Sequence, residues 1–375
     1  MIGSQRWHRS GHRDRPWTHP ARAYDRAVIG VGLVGYGYAG RVFHSHLVSR
    51  CPGLRLVGIV ARDPEKRRAA AVEHDVPVYT AIEGLLADPA VRMVIIATPH
   101  NTHAALARQA LESGRHVVVD KPLTIAVPDA DDLLQRAGRR GLMLSAFHNR
   151  RWDWDYLTLR HAIEAGLLGR PYVFESTVFT YREPRRTWRA EPEIMGSLFH
   201  DWGAHLFDQA LQLVAAPPIS VTAYLLRPRA VPAIGNHARA TIRFADETLF
   251  TIEISNLARI AKPRWFVLGD RGALTRNGLD PQERAFRTDG RPDGAQELAD
   301  ERTRVTTDFG GALAQIAIEP VQGWWLSYYE NVSEHLNAGA PLAVTGRQAR
   351  DVVALLDAAV RAARTGEVVP VSLQD

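Results

Sequence analysis

Residues 196–209 read GSLFHDWGAHLFDQ and set His200, Asp201, His205 and Asp208 among apolar side chains. Such a group could hold a metal, move protons, or form the wetted side of a helix. At a helical advance of about 100° per residue, Asp201, His205 and Asp208 fall within an arc of about 60°, while His200 points away. The two histidines therefore share no face. A metal would need ligands from elsewhere. No histidine stands one helical turn beyond His205, and Cys51 is the only cysteine, so no metal is expected. Plain structural roles also fit: Asp201 as a helix N-cap with Gly203 close behind, Asp208 as a supporting or surface acid, and His205 as a satisfied core histidine. Proton transfer is the chemistry that suits an imidazole, which titrates near neutral pH.

A second carrier of chemistry is an amine. Basic residues number 46, and only Lys66, Lys121 and Lys262 among them are lysines. Lysine can lose a proton where arginine cannot, so Lys121, in VVVDKP, stands out. Its neighbourhood also contains ATPHNTH, residues 97–103, which carries Thr98, Asn101 and His103.

Elements that would position these groups follow from the pattern. An apolar run from Val28 leads into GYGYAG and then an amphipathic segment, which reads as strand, tight turn and helix. Gly35, Gly37 and Gly40 match the spacing that permits a turn, close approach to a pyrophosphate and tight helix packing, with Tyr38 and Ala39 between them. Strands at 54–61 and 91–99, a helix from Asp63-Pro64, a helix from His103 to Glu112 and a strand from Arg115 continue the alternation. This predicts a doubly wound parallel sheet, a Rossmann domain, with ligands beyond the carboxyl ends of its strands. ATPHNTH and Asp120-Lys121-Pro122 lie at two such ends. At the end of the second strand, Asp63 reads as an N-cap with Pro64 behind it, which leaves Arg62 nearest the adenosine 2′ position and Lys66 one turn on. That favours NADP over NAD.

Beyond residue 150 the pattern changes. Segments at 171–181, 219–227, 237–245, 248–256 and 264–269 alternate as strands, a Gly/Asp-rich excursion covers 288–311, and helices are expected near 321–338 and 346–364. This predicts an α+β domain with a large, mainly antiparallel, open-faced sheet. The expected organisation is a disordered extension over 1–27, a dinucleotide-binding domain over 28–149 and a substrate and oligomerisation domain over 150–375. Of the net charge of +5, six Arg and two Asp in residues 1–27 account for most, so the remainder shows no nucleic-acid surface. No apolar run reaches the ~18 residues of a membrane span. A single cysteine and no export signal point to the cytoplasm.

Taken together, GYGYAG, ATPHNTH, VVVDKP and residues 195–208 resemble the Gfo/Idh/MocA oxidoreductases over residues 28–375. The family's E-K-P is D-K-P here, so Asp120 reaches less far, and Ser197 stands where a glycine is common. VVVDKP, FHNRRWDWDYLTLR, YREPRRTWR and GLDPQE further resemble the branch that contains NADP-dependent scyllo-inositol dehydrogenases. The resemblance implies hydride transfer between NADP and a secondary alcohol of a cyclic polyol or sugar, in a homodimer or homotetramer. It also makes Asp201 and His205 the catalytic pair, with His205 as general base and Lys121 on the reacting oxygen. Asp201 would orient the imidazole or hold a substrate hydroxyl. Arg182, Trp188 and Arg189 combine donors and an aromatic face suited to a sugar, and Asn149 follows a strand end that borders the nicotinamide. Two other readings of the chain remain: a glycosidase of the same fold that retains its cofactor, and a non-enzymatic dinucleotide sensor.

Overall fold

The computed structural model describes residues 28–181, 187–289 and 292–373. The expected extension over 1–27 and Arg182 lie outside them.

The first sheet is built from β1 (Ile29–Val34), β2 (Leu54–Val60), β3 (Val78–Tyr79), β4 (Met93–Ile96), β5 (His116–Val119) and β6 (Leu144–Ala146). All pairs are parallel, and the order is β3-β2-β1-β4-β5-β6. β1 and β4 are buried along their whole length, as expected of central strands covered by helices on both faces, and the short edge strand β6 is buried as well. The chain order reverses between β1 and β4, which opens a crevice beyond their carboxyl ends.

The second sheet contains β7 (Pro171–Phe179), β8 (Pro218–Leu226), β9 (His237–Phe244), β10 (Leu249–Ser255), β11 (Trp265–Gly269), β12 (Gly272–Arg276), β13 (Arg304–Phe309), β14 (Ala312–Ala317) and β15 (Val369–Pro370). Their order is β14-β13-β12-β11-β7-β10-β9-β8-β15, and only β7 and β10 run parallel. One face buries Phe174, Phe250, Ile252 and Trp265 against the helices Gly203–Leu213 and Gly346–Thr365. The other leaves Tyr224, Leu226 and Leu249 exposed. The chain is therefore a Rossmann domain followed by an α/β domain with a mainly antiparallel sheet.

The Gly/Asp-rich excursion expected over 288–311 is a correction. β13 lies within it, and the helix Pro281–Asp289 runs into its start. Neither β13 nor β14 buries a regular alternate row, so both lack the period that marks a half-buried strand.

Helices from the end of the chain return to the first layer. Trp325, Tyr328, Tyr329 and Val332 pack with Ile29, Leu33, Ile95 and Val118. The helix Gly346–Thr365 puts Ala349 and Val353 against Val117 and Leu144, while its Val352, Leu355 and Leu356 enter the core of the second sheet. No helix among the described residues is long and apolar enough to cross a membrane.

Candidate active site

The three glycines of GYGYAG have separate reasons. Gly35 has φ +102°, and a Cβ there would lie 2.3 Å from the Ala97 carbonyl oxygen. A Cβ on Gly40 would lie 2.0 Å from the Gly35 oxygen, so this residue allows the helix to seat on the turn. Gly37 has nothing within 4 Å of its Cβ position and borders the crevice, leaving its backbone bare for a ligand.

The crevice holds a cleft of about 460 Å³. Gly35, Gly37, Tyr38, Ala39, Arg62, Lys66, Thr98, Asp120 and Lys121 line it, all of them expected from the sequence. Asp63 caps the helix Pro64–Glu73 by accepting from the backbone N–H of Glu65 at 2.8 Å and Lys66 at 3.1 Å. It is thus engaged by its own helix, and Arg62 and Lys66 stand exposed on the rim. The Asp120 carboxylate turns back on the chain, accepting from the Lys121 N–H at 2.9 Å. Burial pushes its carboxyl up, but His44 and Lys121 outweigh this and hold it well below the ordinary range.

Four expected cofactor residues lie elsewhere: Asn149 borders a second cavity, and the other three are off the cleft. Gly40 is behind the cleft, for the packing reason above. Asn101 is exposed and away from the lining. His103 is fully buried, with Nδ1 2.8 Å from the Pro122 carbonyl and Nε2 2.9 Å from that of Thr98, so it ties together the loops after β4 and β5.

This second cavity, of about 480 Å³, shares Tyr38, Ala39, Asp120, Lys121 and Arg189 with the first, so the two adjoin along this wall. Asp201, His205 and Asn149 line the second cavity. Lys121 Nζ donates to the Asp201 carbonyl at 2.8 Å and to its Oδ1 at 3.0 Å, and Arg189 approaches the same Oδ1 at 3.4 Å. Burial alone would raise the Asp201 carboxyl, yet Lys121 and Arg189 hold it well below its usual range.

Asp201 is not on the helix, nor is it its N-cap. It follows the tight turn Leu198–His200 with φ −82° and ψ −90°, and the helix Gly203–Leu213 begins after Trp202. Its carboxylate therefore faces Lys121 instead of His205, which corrects the expectation that it orients the imidazole. His205 Nδ1 is enclosed with no partner, leaving Nε2 as the nitrogen open to the cavity. Burial, followed by Lys121, Arg150, His148 and Arg264, pushes the His205 pKa well below its ordinary value. At neutral pH the ring is uncharged and able to accept a proton.

The other two ionisable groups of the opening stretch are structural. Asp208 is buried and accepts from Arg151 Nε at 2.8 Å and Nη2 at 2.6 Å. His200 Nδ1 accepts from the Ser197 backbone N–H at 3.1 Å and lies 3.0 Å from its hydroxyl, closing its own turn. Trp188, expected at the substrate, lines the cofactor cleft instead, with its ring 5.2 Å from that of His100.

Sequence reasoning left out much of the second cavity. Trp202, Trp325, Glu283 and Arg287 line it, and the Arg150 guanidinium sits 4.1 Å from the Trp202 ring and 5.3 Å from that of Trp325. Arg150 also pairs with Glu283, which Arg287 holds from the other side. GLDPQE, which contains Glu283, was a signal for that wall.

A cleft built for a dinucleotide at the switch point of a Rossmann sheet, opening onto a lysine, a carboxylate and an uncharged histidine, defines an oxidoreductase site. Residues 29–148 match the family model described as Oxidoreductase family, NAD-binding Rossmann fold, and residues 160–373 match Oxidoreductase family, C-terminal alpha/beta domain. The chain belongs to the Gfo/Idh/MocA oxidoreductase family. It is 34% identical over 341 residues to the uncharacterized oxidoreductase YdgJ of Escherichia coli, covering 90% of this chain and 96% of that one. It is 29% identical over 344 residues to the scyllo-inositol 2-dehydrogenase (NADP(+)) IolW of Bacillus subtilis, covering 90% and 94%. The crystal structure of an NAD-binding protein from Listeria innocua aligns with a TM-score of 0.80 at 28% identity, over 93% of this chain and 98% of that one.

Proposed function

We propose that the protein is an NADP-dependent dehydrogenase acting on a secondary alcohol of a cyclic polyol or sugar. The observation that carries this reading is the convergence of Lys121, Asp201 and His205 on one cavity that adjoins the dinucleotide cleft, with Lys121 in the wall of both. The bare backbone at Gly37 fits a pyrophosphate there.

When bound, the nicotinamide supplies the hydride acceptor. The chain supplies the rest. His205 Nε2 takes the hydroxyl proton of the substrate. Lys121, shared with Asp201, donates to the reacting oxygen and stabilises the negative charge that develops on it. Asp201, which keeps its charge, holds Lys121 in place and offers an acceptor to a neighbouring hydroxyl.

Arg62 and Lys66 on the cleft rim support NADP, since both could meet a 2′-phosphate and the Asp63 carboxylate between them is engaged in capping its own helix. For the substrate, Trp202 offers an apolar face, while Asp201, Glu283, Arg189 and Arg287 offer acceptors and donors, a mixture that suits a ring bearing many hydroxyls. The similarity to IolW agrees with both. A homodimer or homotetramer formed through the open face of the second sheet, and a cytoplasmic location consistent with one buried thiol, complete the reading.

The test is a screen of NADP and NAD reduction with scyllo-inositol, myo-inositol, glucose and xylose. Net NADPH formation with one of these is expected. A lower dissociation constant for NADH than for NADPH would overturn the cofactor assignment.

A further inference from the structure

Behind His205 lies a second imidazole to which the reaction above gives no part. His148 follows β6, is 1% exposed, and has both ring nitrogens enclosed without a partner. Its ring centroid is 6.3 Å from that of His205, with the planes at 82°. Since His205 Nδ1 is also enclosed and unpartnered, three imidazole nitrogens on two adjacent rings lack a bond. His103, just as buried, has a carbonyl within hydrogen-bond distance of each nitrogen and so a partner for its N–H in either tautomer. Buried polar atoms are nearly always satisfied, and a cluster of exceptions calls for a role.

We propose that His148 is a positioning residue for His205, joined to its Nδ1 through one bridging water, so that it fixes the tautomer of the base and receives the proton that the base must shed. The rings are adjacent, with centroids 6.3 Å apart, yet make no direct bond, and one water between them would give both a partner. The charges around the two rings set the direction. His205 faces Lys121, Arg150 and Arg264, all cations, besides His148. His148 faces the carboxylates of Asp208 and Asp120 as well as Arg151 and Lys121. A proton arriving on His205 is repelled by its surroundings and is better accommodated next door. His148 itself is pushed down to about 4, chiefly by burial, with Asp208 opposing. It therefore rests neutral, with one nitrogen to donate and one to accept.

The inference rests on the dehydrogenase reading, in the direction of alcohol oxidation. The substrate O–H bond breaks and its proton joins His205 Nε2, while the carbinol C–H bond breaks and its electron pair leaves with the hydride for NADP. The Nδ1–H bond of His205 then breaks, and that proton passes through the water to His148. The alcohol becomes a carbonyl, NADP becomes NADPH, and one proton reaches solvent once the product has left.

The test compares the full-length protein with its His148→Phe and His148→Gln variants by two readouts. The first is the 15N spectrum of histidine-labelled protein without substrate. The second is the pH profile of kcat with scyllo-inositol and NADP. Phe fills the site without a polar atom, and Gln restores a donor and an acceptor. In His148→Phe, the His205 signals are expected to lose their single-tautomer pattern and kcat to fall about 10-fold or more at neutral pH with KM little changed. His148→Gln should recover part of both. An unchanged His205 spectrum, or a wild-type kcat profile in His148→Phe, would overturn the proposal. Should scyllo-inositol reduce no NADP even with the wild-type protein, that substrate fails for the dehydrogenase reading, while the spectrum still decides the pairing of the two rings.

Discussion

Lys121 Nζ bonds both the backbone carbonyl of Asp201, at 2.8 Å, and its carboxylate, at 3.0 Å, although 80 residues separate them in the chain. The lysine comes from the loop after β5 and the aspartate from the turn before the helix Gly203–Leu213, so this pair joins the cofactor wall to the proton-handling wall. Lys121→Arg keeps the charge but cannot place a compact ammonium between the Asp201 oxygens and a substrate oxygen. Turnover should fall by about 10²- to 10³-fold. NADPH affinity, measured by fluorescence titration, should stay within a few-fold of wild type, because the cleft is lined along the rest of its length by other residues.

His205 gives a pH signature. Burial and its cationic neighbours lower its pKa, so the neutral base persists to more acidic pH than an ordinary histidine would allow. The kcat/KM of the oxidation should stay flat through neutral pH and decline only below the usual imidazole value of about 6.5. His205→Ala should lose about 10²- to 10⁴-fold in turnover at neutral pH. Near-normal turnover in that variant would remove the base assignment.

Cofactor choice can be read separately from chemistry. Arg62→Ala combined with Lys66→Ala removes two exposed cations from the rim of the cleft and leaves the Asp63 cap in place. The dissociation constant of NADPH should rise by about 10-fold or more, the equivalent of about 1.4 kcal/mol, while that of NADH changes little. Calorimetric titration of both cofactors checks this, and equal losses for both would place the two side chains away from the 2′-phosphate.

Asp153, Asp155 and Asp280 form a buried group whose oxygens lie within 4.8 Å of one another. Asp153 accepts from the Trp325 indole at 2.7 Å, and Asp280 from the backbone N–H of Trp154 at 2.7 Å. Burial and the neighbouring Asp155 push Asp153 up to about 7 against the pull of Arg150. Burial, Asp153 and Asp155 push Asp280 well above its ordinary value. Because an unfolded aspartate titrates near about 4, the folded protein binds more protons between about 4 and 7, and these two groups make stability fall as pH rises through that window. Asp201 and Asp208 have lowered values, so their contribution is present above about 4 and is lost as pH falls. Asp280→Asn should raise the urea midpoint relative to wild type at pH of about 7, and the difference should vanish near pH 4. A constant difference across that range would show that repulsion among the carboxylates is not the cause.

The sequence revealed the parts whose signal is local. β1, β2, β4 and β5 followed from apolar runs and glycine spacing, and the Asp63 cap from its Pro64 neighbour, whereas the two-residue β3 carried no such signal. Asp201, His205 and Lys121 were found through motifs and do meet. The assumption that failed was geometric: a single helix was taken to run through Asp201, whereas the chain turns at that residue and aims its carboxylate at a lysine far away in sequence. Trp325 and Glu283 escaped notice because they enter the cavity from segments beyond residue 280, and only tertiary packing brings those segments to the cleft. His103 shows the converse case, since a polar residue at a strand end was taken for a ligand contact and instead lies buried between the carbonyls of Pro122 and Thr98, donating its one N–H to one of them.

The return of the last helices to the first layer has a consequence for biosynthesis. Val117 and Leu144 are not covered until Ala349 and Val353 have been made, and Ile29 and Ile95 wait for Tyr328 and Val332. Although domains commonly fold in order as they leave the ribosome, the nucleotide-binding layer here stays partly bare during most of translation. Both layers are then closed by the same late helix, which puts Ala349 and Val353 in one core and Val352, Leu355 and Leu356 in the other.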